Sequence, residues 1–216
     1  MLVVLRQLLI TIAILFGSNQ FDVRSFLTIW SLVVFALAFV GSITTTIVNL
    51  PGKNTSDGSL LWYRVVIFAP YFVAVAALMI VSQTLGVMSS HKSYTEVCQG
   101  IFVGDYFSSF KSGKRWGSIV DITNELPRLG ESKEYLNIPS WDGCPPTIQS
   151  IQAACKFVES CQKPVLIHCA HGKGRSVTVT AAVLVYLGLV KSVDEAVTKV
   201  CLPHLIARNS FLSVSH

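Results

Sequence analysis

The chain has 216 residues, of which 51% are hydrophobic and only 13% charged, with a mean hydropathy of +0.56 and a net charge of +5. A soluble domain carries roughly 25% charged residues, so part of this chain is not expected to lie in water. The positive surplus is small, and no basic run or stacking motif accompanies it, so nucleic acid is not an expected partner.

Charge is unevenly placed. Residues 1–90 hold four basic groups (Arg6, Arg24, Lys53, Arg64) and two acidic ones (Asp22, Asp57), whereas residues 91–216 hold thirteen basic and ten acidic groups. The expected organisation is a transmembrane region over 1–90 and a soluble domain over 91–216. A spanning helix needs about 20 mostly apolar residues. No charge falls between Arg24 and Lys53 or between Arg64 and Lys92, which predicts spans at about 26–50 and 65–90. Pro70 near the start of the second suits a helix entry or a kink. Residues 51–58 between them read as a polar turn. The region of about 2–20 is apolar over Leu2–Phe16 but interrupted by Arg6. It reads either as a first span with Arg6 at the interface or as a signal-like stretch, giving two or three helices. No small-residue cleavage site precedes the next span, so removal is not expected.

The soluble half reads as α/β. Strands are expected at Gln99–Val103, Ser118–Thr123, Tyr135–Ile138 and Val165–His168. A helix is predicted from Thr147, with Ile148, Ile151, Cys155, Val158 and Cys161 on one face. It is followed by an apolar helix over Arg175–Leu189 and a shorter one over Val193–Cys201 capped by Ser192. Alternating strands and helices predict a central, mainly parallel sheet flanked by helices. The six cysteines show no CxxC or Cys/His metal spacing. They read mostly as buried thiols, which suits a reducing, cytosol-facing side.

Chemistry is concentrated in His168-Cys169-Ala170-His171-Gly172-Lys173-Gly174-Arg175-Ser176. A loop between a strand and a helix N-terminus presents unpaired backbone N–H groups and the positive end of the helix dipole, and so binds phosphate. Gly172 and Gly174 let the backbone of Ala170 to Arg175 curl inward. Arg175 can close the cradle with a bidentate hold. Cys169 lies at its floor, in a field that favours the thiolate, placed for attack on phosphorus. A nucleotide-binding P-loop does not fit, because Gly172-Lys173 is followed by Gly174 rather than Ser or Thr. His168 reads equally as a strand-end structural group and as a direct participant.

His168 to Ser176 resembles the His-Cys-x-x-Gly-x-x-Arg-Ser/Thr signature of the protein tyrosine phosphatase superfamily, and the element order is similar to its dual-specificity branch over roughly 98–212. The resemblance implies a dual-specificity-phosphatase-like domain after the N-terminal transmembrane helices. It also implies a cysteinyl-phosphate mechanism without metal or other cofactor, and a general acid on a loop upstream of the cysteine strand. Asp142 fits that acid; Asp121 is the alternative, but it lies in a strand-like run. Ser176 fits the family's hydroxyl that assists the thiolate as leaving group. The stretch Arg208–Leu212 resembles the segment near the family's last helix. The implied substrate is a phosphorylated protein on Tyr, Ser or Thr, or alternatively a membrane phospholipid such as a phosphoinositide, since Lys173 and His171 add charge to the loop. An inactive phosphate-binding scaffold and a membrane-organising protein are the readings from other classes.

Overall fold

The computed structural model describes residues 22–43, 49, 52–84 and 94–209. The expected first helix, about 2–20, lies outside them, as do Ser210–Leu212 and parts of both expected spans. In chain order the elements are α1 (Val23–Ile43), α2 (Trp62–Ile67), α3 (Ala69–Thr84), β1 (Tyr94–Cys98), β2 (Ile101–Gly104), β3 (Trp116–Asp121), β4 (Ser132–Asn137), α4 (Ile148–Ser160), β5 (Val165–His168), α5 (Arg175–Tyr186) and α6 (Val193–Asn209).

The five strands form one sheet in the order β1-β2-β5-β3-β4. All pairings are parallel except β1 with β2, so the mainly parallel expectation holds. The run Val165-Leu166-Ile167-His168 is buried throughout and occupies the centre, as a short apolar strand covered on both faces should. Side chains alternate across it. Val165 and Ile167 join Val103, Val120, Val158, Val179 and Leu184 under the helices. Leu166 joins Phe102, Trp116, Ile119 and Tyr135 on the opposite face.

Several boundaries differ from expectation: β3 and β4 each start and stop earlier than the expected Ser118–Thr123 and Tyr135–Ile138. Gln99 and Gly100, expected to open a strand, instead have φ of 37° and 80°. They make the two-residue turn of a β1–β2 hairpin, and β1 was not foreseen. The helix at Arg175 ends at Tyr186, and Gly188 follows with φ of 67°, the left-handed residue that closes many helices. The last helix runs on to Asn209, while its cap is as expected: Ser192 Oγ accepts the Glu195 N–H at 3.1 Å.

The N-terminal region departs further. Among the described residues no helix is long and apolar enough to cross a membrane. The expected span at 65–90 is broken at Phe68 into α2 and α3, because Pro70 lacks an N–H and its ring crowds the carbonyl four residues back. One face of α3 is occupied by protein: Val75 and Met79 pack with Tyr106, Leu126 and Ala170, and the Tyr71 ring lies 5.8 Å from that of Trp141. The outer faces of α1 and α3 stay uncovered, with Leu32 65%, Val73 68% and Leu78 69% exposed.

Contacts also cross the expected division between residues 90 and 91. The turn at 51–58 is not simply a polar connector. Lys53 within it is 1% exposed and reaches β3, the Asn137 N–H donates to Thr55 O at 2.7 Å, and Arg128 Nη1 donates to Asp57 O at 3.0 Å.

Candidate active site

The loop from Cys169 to Gly174 joins the C-terminal end of β5 to the first residue of α5. Its curl depends on Gly172, which has φ of 69° and a Cβ position 2.9 Å from the backbone of Gly104 and Asp105. Any side chain there meets β2's end. Gly174 does not share this requirement: its φ is −113° and its Cβ position is open, which corrects the expectation that both glycines are needed for the curl.

Cys169 is 2% exposed at the floor of the loop. Its Sγ accepts the Gly172 N–H at 3.2 Å and lies 3.3 Å from Ser176 Oγ, contacts that suit a thiolate. Arg175 is buried and heavily anchored. Its Nη2 donates to Glu125 Oε1 at 2.6 Å and its Nη1 to Glu125 Oε2 at 3.2 Å. Nη1 also donates to the carbonyls of Ser140 and Ile122, and Nη2 to Asp142 Oδ1 at 2.9 Å. Burial works against the guanidinium's charge, but the carboxylate of Glu125 outweighs it, helped by Cys169 and Asp142, and the group is held above its usual pKa. Its Nε is buried and has no hydrogen-bond partner. A buried donor left open costs free energy unless a ligand meets it.

Cys169, His171, Lys173, Arg175 and Asp142 line one cavity of about 590 Å³, together with Cys144. Asp142 is exposed at its mouth, with Oδ2 4.0 Å from His171 Nε2. Ala170 turns away to pack with Tyr106, Leu126 and Met79. Lys173 is exposed. His168 lies behind the loop, with Nε2 3.9 Å from Asp121 Oδ1, and burial lowers its pKa despite that carboxylate. Neutral and enclosed, it fits the structural role of the two expected. Asp121 is buried in a network: Lys53 Nζ donates to it at 2.5 Å and Tyr135 Oη at 2.7 Å. Burial alone would raise its pKa, but the Lys53 ammonium, with the hydrogen bonds from Lys53 and Tyr135, holds it below the usual carboxylate range. It has no path to the cavity, so of the two aspartates only Asp142 is placed where a leaving group could be.

Glu125 was not foreseen from the sequence, where Asn124-Glu125-Leu126-Pro127 signals only a loop. Nor were Lys53, and Tyr71 on the flank of Trp141. Among the described residues no group of three or more His, Cys, Asp or Glu side chains is placed to hold a metal ion.

Residues 114–189 match the family model described as polymorphic toxin system, DSP-PTPase phosphatase. The segment runs from just before β3 to just past α5, contains the Cys169–Arg175 loop and leaves most of the chain unmatched. Solved structures similar to this chain include human DUSP28 (16% identity over 54% of this chain and 86% of that one, TM-score 0.45). Tk-PTP in the active form is 21% identical over 58% and 99%, with a TM-score of 0.42. PTPMT1 in complex with PI(5)P is 15% identical over 56% and 97%, with a TM-score of 0.41. No curated protein matches the sequence significantly. The matched segment and the loop within it indicate a phosphoric monoester hydrolase of the dual-specificity-phosphatase type.

Proposed function

We propose that the chain is a membrane-attached phosphatase that hydrolyses phosphomonoesters through a cysteinyl-phosphate on Cys169. The observation that carries this is the pairing of a buried Cys169, hydrogen-bonded by Gly172 N–H and beside Ser176, with an anchored Arg175 whose Nε has no partner. A phosphate in the cavity would take that Nε and draw Nη2 away from exposed Asp142, completing a bidentate hold. The Cys169 thiolate attacks phosphorus as the bond to the leaving oxygen breaks, while loop amides and Arg175 stabilise the equatorial oxygens. Asp142 gives its proton to the leaving oxygen. A water then attacks the phosphorus, Asp142 takes its proton, and the sulfur–phosphorus bond breaks, with the Ser176 hydroxyl donating to the departing thiolate. No cofactor enters this sequence.

The substrate on the first reading is a phosphorylated protein. A phospholipid is favoured by one feature: α3, with Tyr71 on Trp141 beside the cavity, carries an uncovered apolar outer face. A helix apolar all round is covered by protein or lipid. The outer faces of α1 and α3 are the basis for attachment to a membrane, with the catalytic domain on its cytosolic side. Contiguous exposed apolar surface of this kind marks an interaction site.

The test is phosphate release by the full chain in detergent from a phosphotyrosine peptide, a phosphothreonine peptide and a phosphoinositide panel. Cys169→Ser and Asp142→Asn serve as controls. Peptide turnover lost in both variants supports a protein phosphatase, and turnover of lipids alone moves the substrate class with the same mechanism. Turnover retained by Cys169→Ser would sink the assignment, and a folded wild-type chain inert toward every substrate would favour the scaffold reading.

A further inference from the structure

The connector between α1 and α2 sends a lysine into the back of the catalytic loops. Lys53 is held at its backbone by Asn49, whose Oδ1 accepts the Lys53 N–H at 2.9 Å and whose Nδ2 donates to Lys53 O at 2.7 Å. Its ammonium, fully enclosed, donates to Asp121 Oδ2 at 2.5 Å, Leu126 O at 2.7 Å, and Thr123 O and Oγ1 at 3.3 Å each. An isolated ammonium is costly to remove from water, and here one acceptor is the Asp121 carboxylate and the other three lie on Thr123 and Leu126. The short stretch from Thr123 to Leu126 contains Glu125.

The two sides of this turn therefore have different partners. On one side Lys53 ties Thr123 and Leu126 to Asp121, whose Oδ1 also accepts from Thr123 N and Oγ1 at 2.9 and 2.7 Å. On the other side Glu125 grips Arg175 with both carboxylate oxygens. Asn137 adds a brace, its Nδ2 donating to Asp121 O and Thr123 O, while its N–H is bound to the connector through Thr55 O. The turn has no regular secondary structure of its own, so these side chains set its shape.

We propose that Lys53 is a positioning residue for the phosphatase reaction: it holds the Thr123–Leu126 turn in the shape that presents Glu125 to Arg175. The segment joining the apolar helices is thereby a working part of the active site rather than a tether. This rests on the phosphatase reading, and the two fail differently: a wild-type chain without turnover refutes that reading, whereas an active wild type indifferent to Lys53 refutes this one.

The experiment uses the full chain. Lys53→Met strands the buried Asp121 carboxylate, so the informative variant is Lys53→Met with Asp121→Asn, which removes both charges together. Steady-state kinetics on a phosphate ester, inhibition by vanadate and thermal melting are measured on each. The expected result is a folded double variant with kcat/KM lower by about 10- to 100-fold, the scale of a small displacement of a catalytic group, and with weakened vanadate inhibition. Adding Glu125→Gln to that double variant costs little more, because both changes release the same guanidinium. Wild-type kcat/KM and vanadate inhibition in the folded double variant overturn the proposal, as does full additivity with Glu125→Gln; Lys53 would then only neutralise Asp121. If loss of charge prevents folding, Lys53→Arg keeps a cation on Asp121, but its planar head cannot reproduce the ammonium's contacts with Leu126 and Thr123. The same losses are expected there, and unchanged kinetics overturn the proposal.

Discussion

Replacing Glu125 by glutamine keeps the side chain's volume but removes the carboxylate that grips Arg175 with two oxygens, at 2.6 and 3.2 Å. Both side chains are 4% exposed, so solvent cannot make up the loss. Taking one partner from a buried pair costs about 3–5 kcal/mol. The variant keeps one acceptor, and Arg175 keeps the carbonyls of Ile122 and Ser140 and the carboxylate of Asp142. The cost should therefore fall near the lower end, about 3 kcal/mol, or roughly 6–12 °C in Tm for a chain of this length. Catalytically, an Arg175 displaced by about 1 Å can lower kcat/KM by about 10²-fold. Differential scanning fluorimetry and initial rates on the full chain measure both quantities, with vanadate inhibition as a report on the oxyanion cradle that Arg175 closes. Melting within about 2 °C of wild type together with kcat/KM within about twofold would refute the reasoning. Tighter vanadate binding with unchanged melting would refute it differently: Glu125 would then be a competitor for the guanidinium, not its anchor.

Asp142→Asn removes the one acid that lines the cavity among the described residues, so turnover of an ester with a poor leaving group should fall by about 10²–10⁴-fold. An ester whose leaving group needs no proton should be affected far less; equal losses on both, seen in parallel initial-rate assays, would take the acid role from Asp142. Gly172→Ala puts a methyl 2.9 Å from the backbone of Gly104 and Asp105 at a φ of 69°, so denaturant melts should show a loss of more than about 1 kcal/mol. Gly174→Ala, with open space around it, should melt close to wild type in the same experiment. His168 is kept neutral by burial, with a pKa below its unfolded value. Below pH of about 6.5 the unfolded chain takes up a proton that the folded chain refuses, so stability is complete above that pH and falls as pH drops through the window beneath it. Tm recorded against pH should show this slope, and His168→Gln should flatten it.

What was legible in the sequence is what is contiguous. The proposed nucleophile, its loop and the guanidinium lie within His168–Ser176, and the strand and helix that frame them announce themselves by the apolar Val165-Leu166-Ile167 and a long apolar run. Asp142 was singled out because the family resemblance implies an acid on a loop upstream of the cysteine strand, and the structure places it on the cavity with Arg175. Glu125 and Lys53 were not, because they act on partners 50 and 68 residues away. A single side chain pairing across that separation leaves no periodic trace. Lys53 was also disguised by its setting, since a lone charge between two apolar stretches reads as a solvated turn. The hairpin was missed for a local reason: Gln99 is a non-glycine residue with positive φ, which no propensity argument favours.

The character of α3 bears on the contacts that cross the expected division at residue 90. Composition separates a charge-poor N-terminal region from a charge-rich C-terminal one, and the natural inference is two media. Yet Tyr71, Val75 and Met79 recur at four-residue intervals, which places them on one helix face. That face meets Trp141, Tyr106 and Ala170. Ala170 belongs to the Cys169–Gly174 loop and Trp141 adjoins Asp142, so the helix packs against the loops of both the proposed nucleophile and the proposed acid. The opposite face, with Val73, Leu78 and Ile80 exposed, is as apolar as a lipid-facing surface requires. On the proposed reading such a helix meets protein on one face and lipid on the other along its length. With the connector's Lys53 reaching the turn that carries Glu125, the loops of Ala170 and Trp141 and that turn all touch residues from the part of the chain expected to lie in the membrane. Whatever covers the outer face of α3 thus acts on a helix already in contact with the machinery.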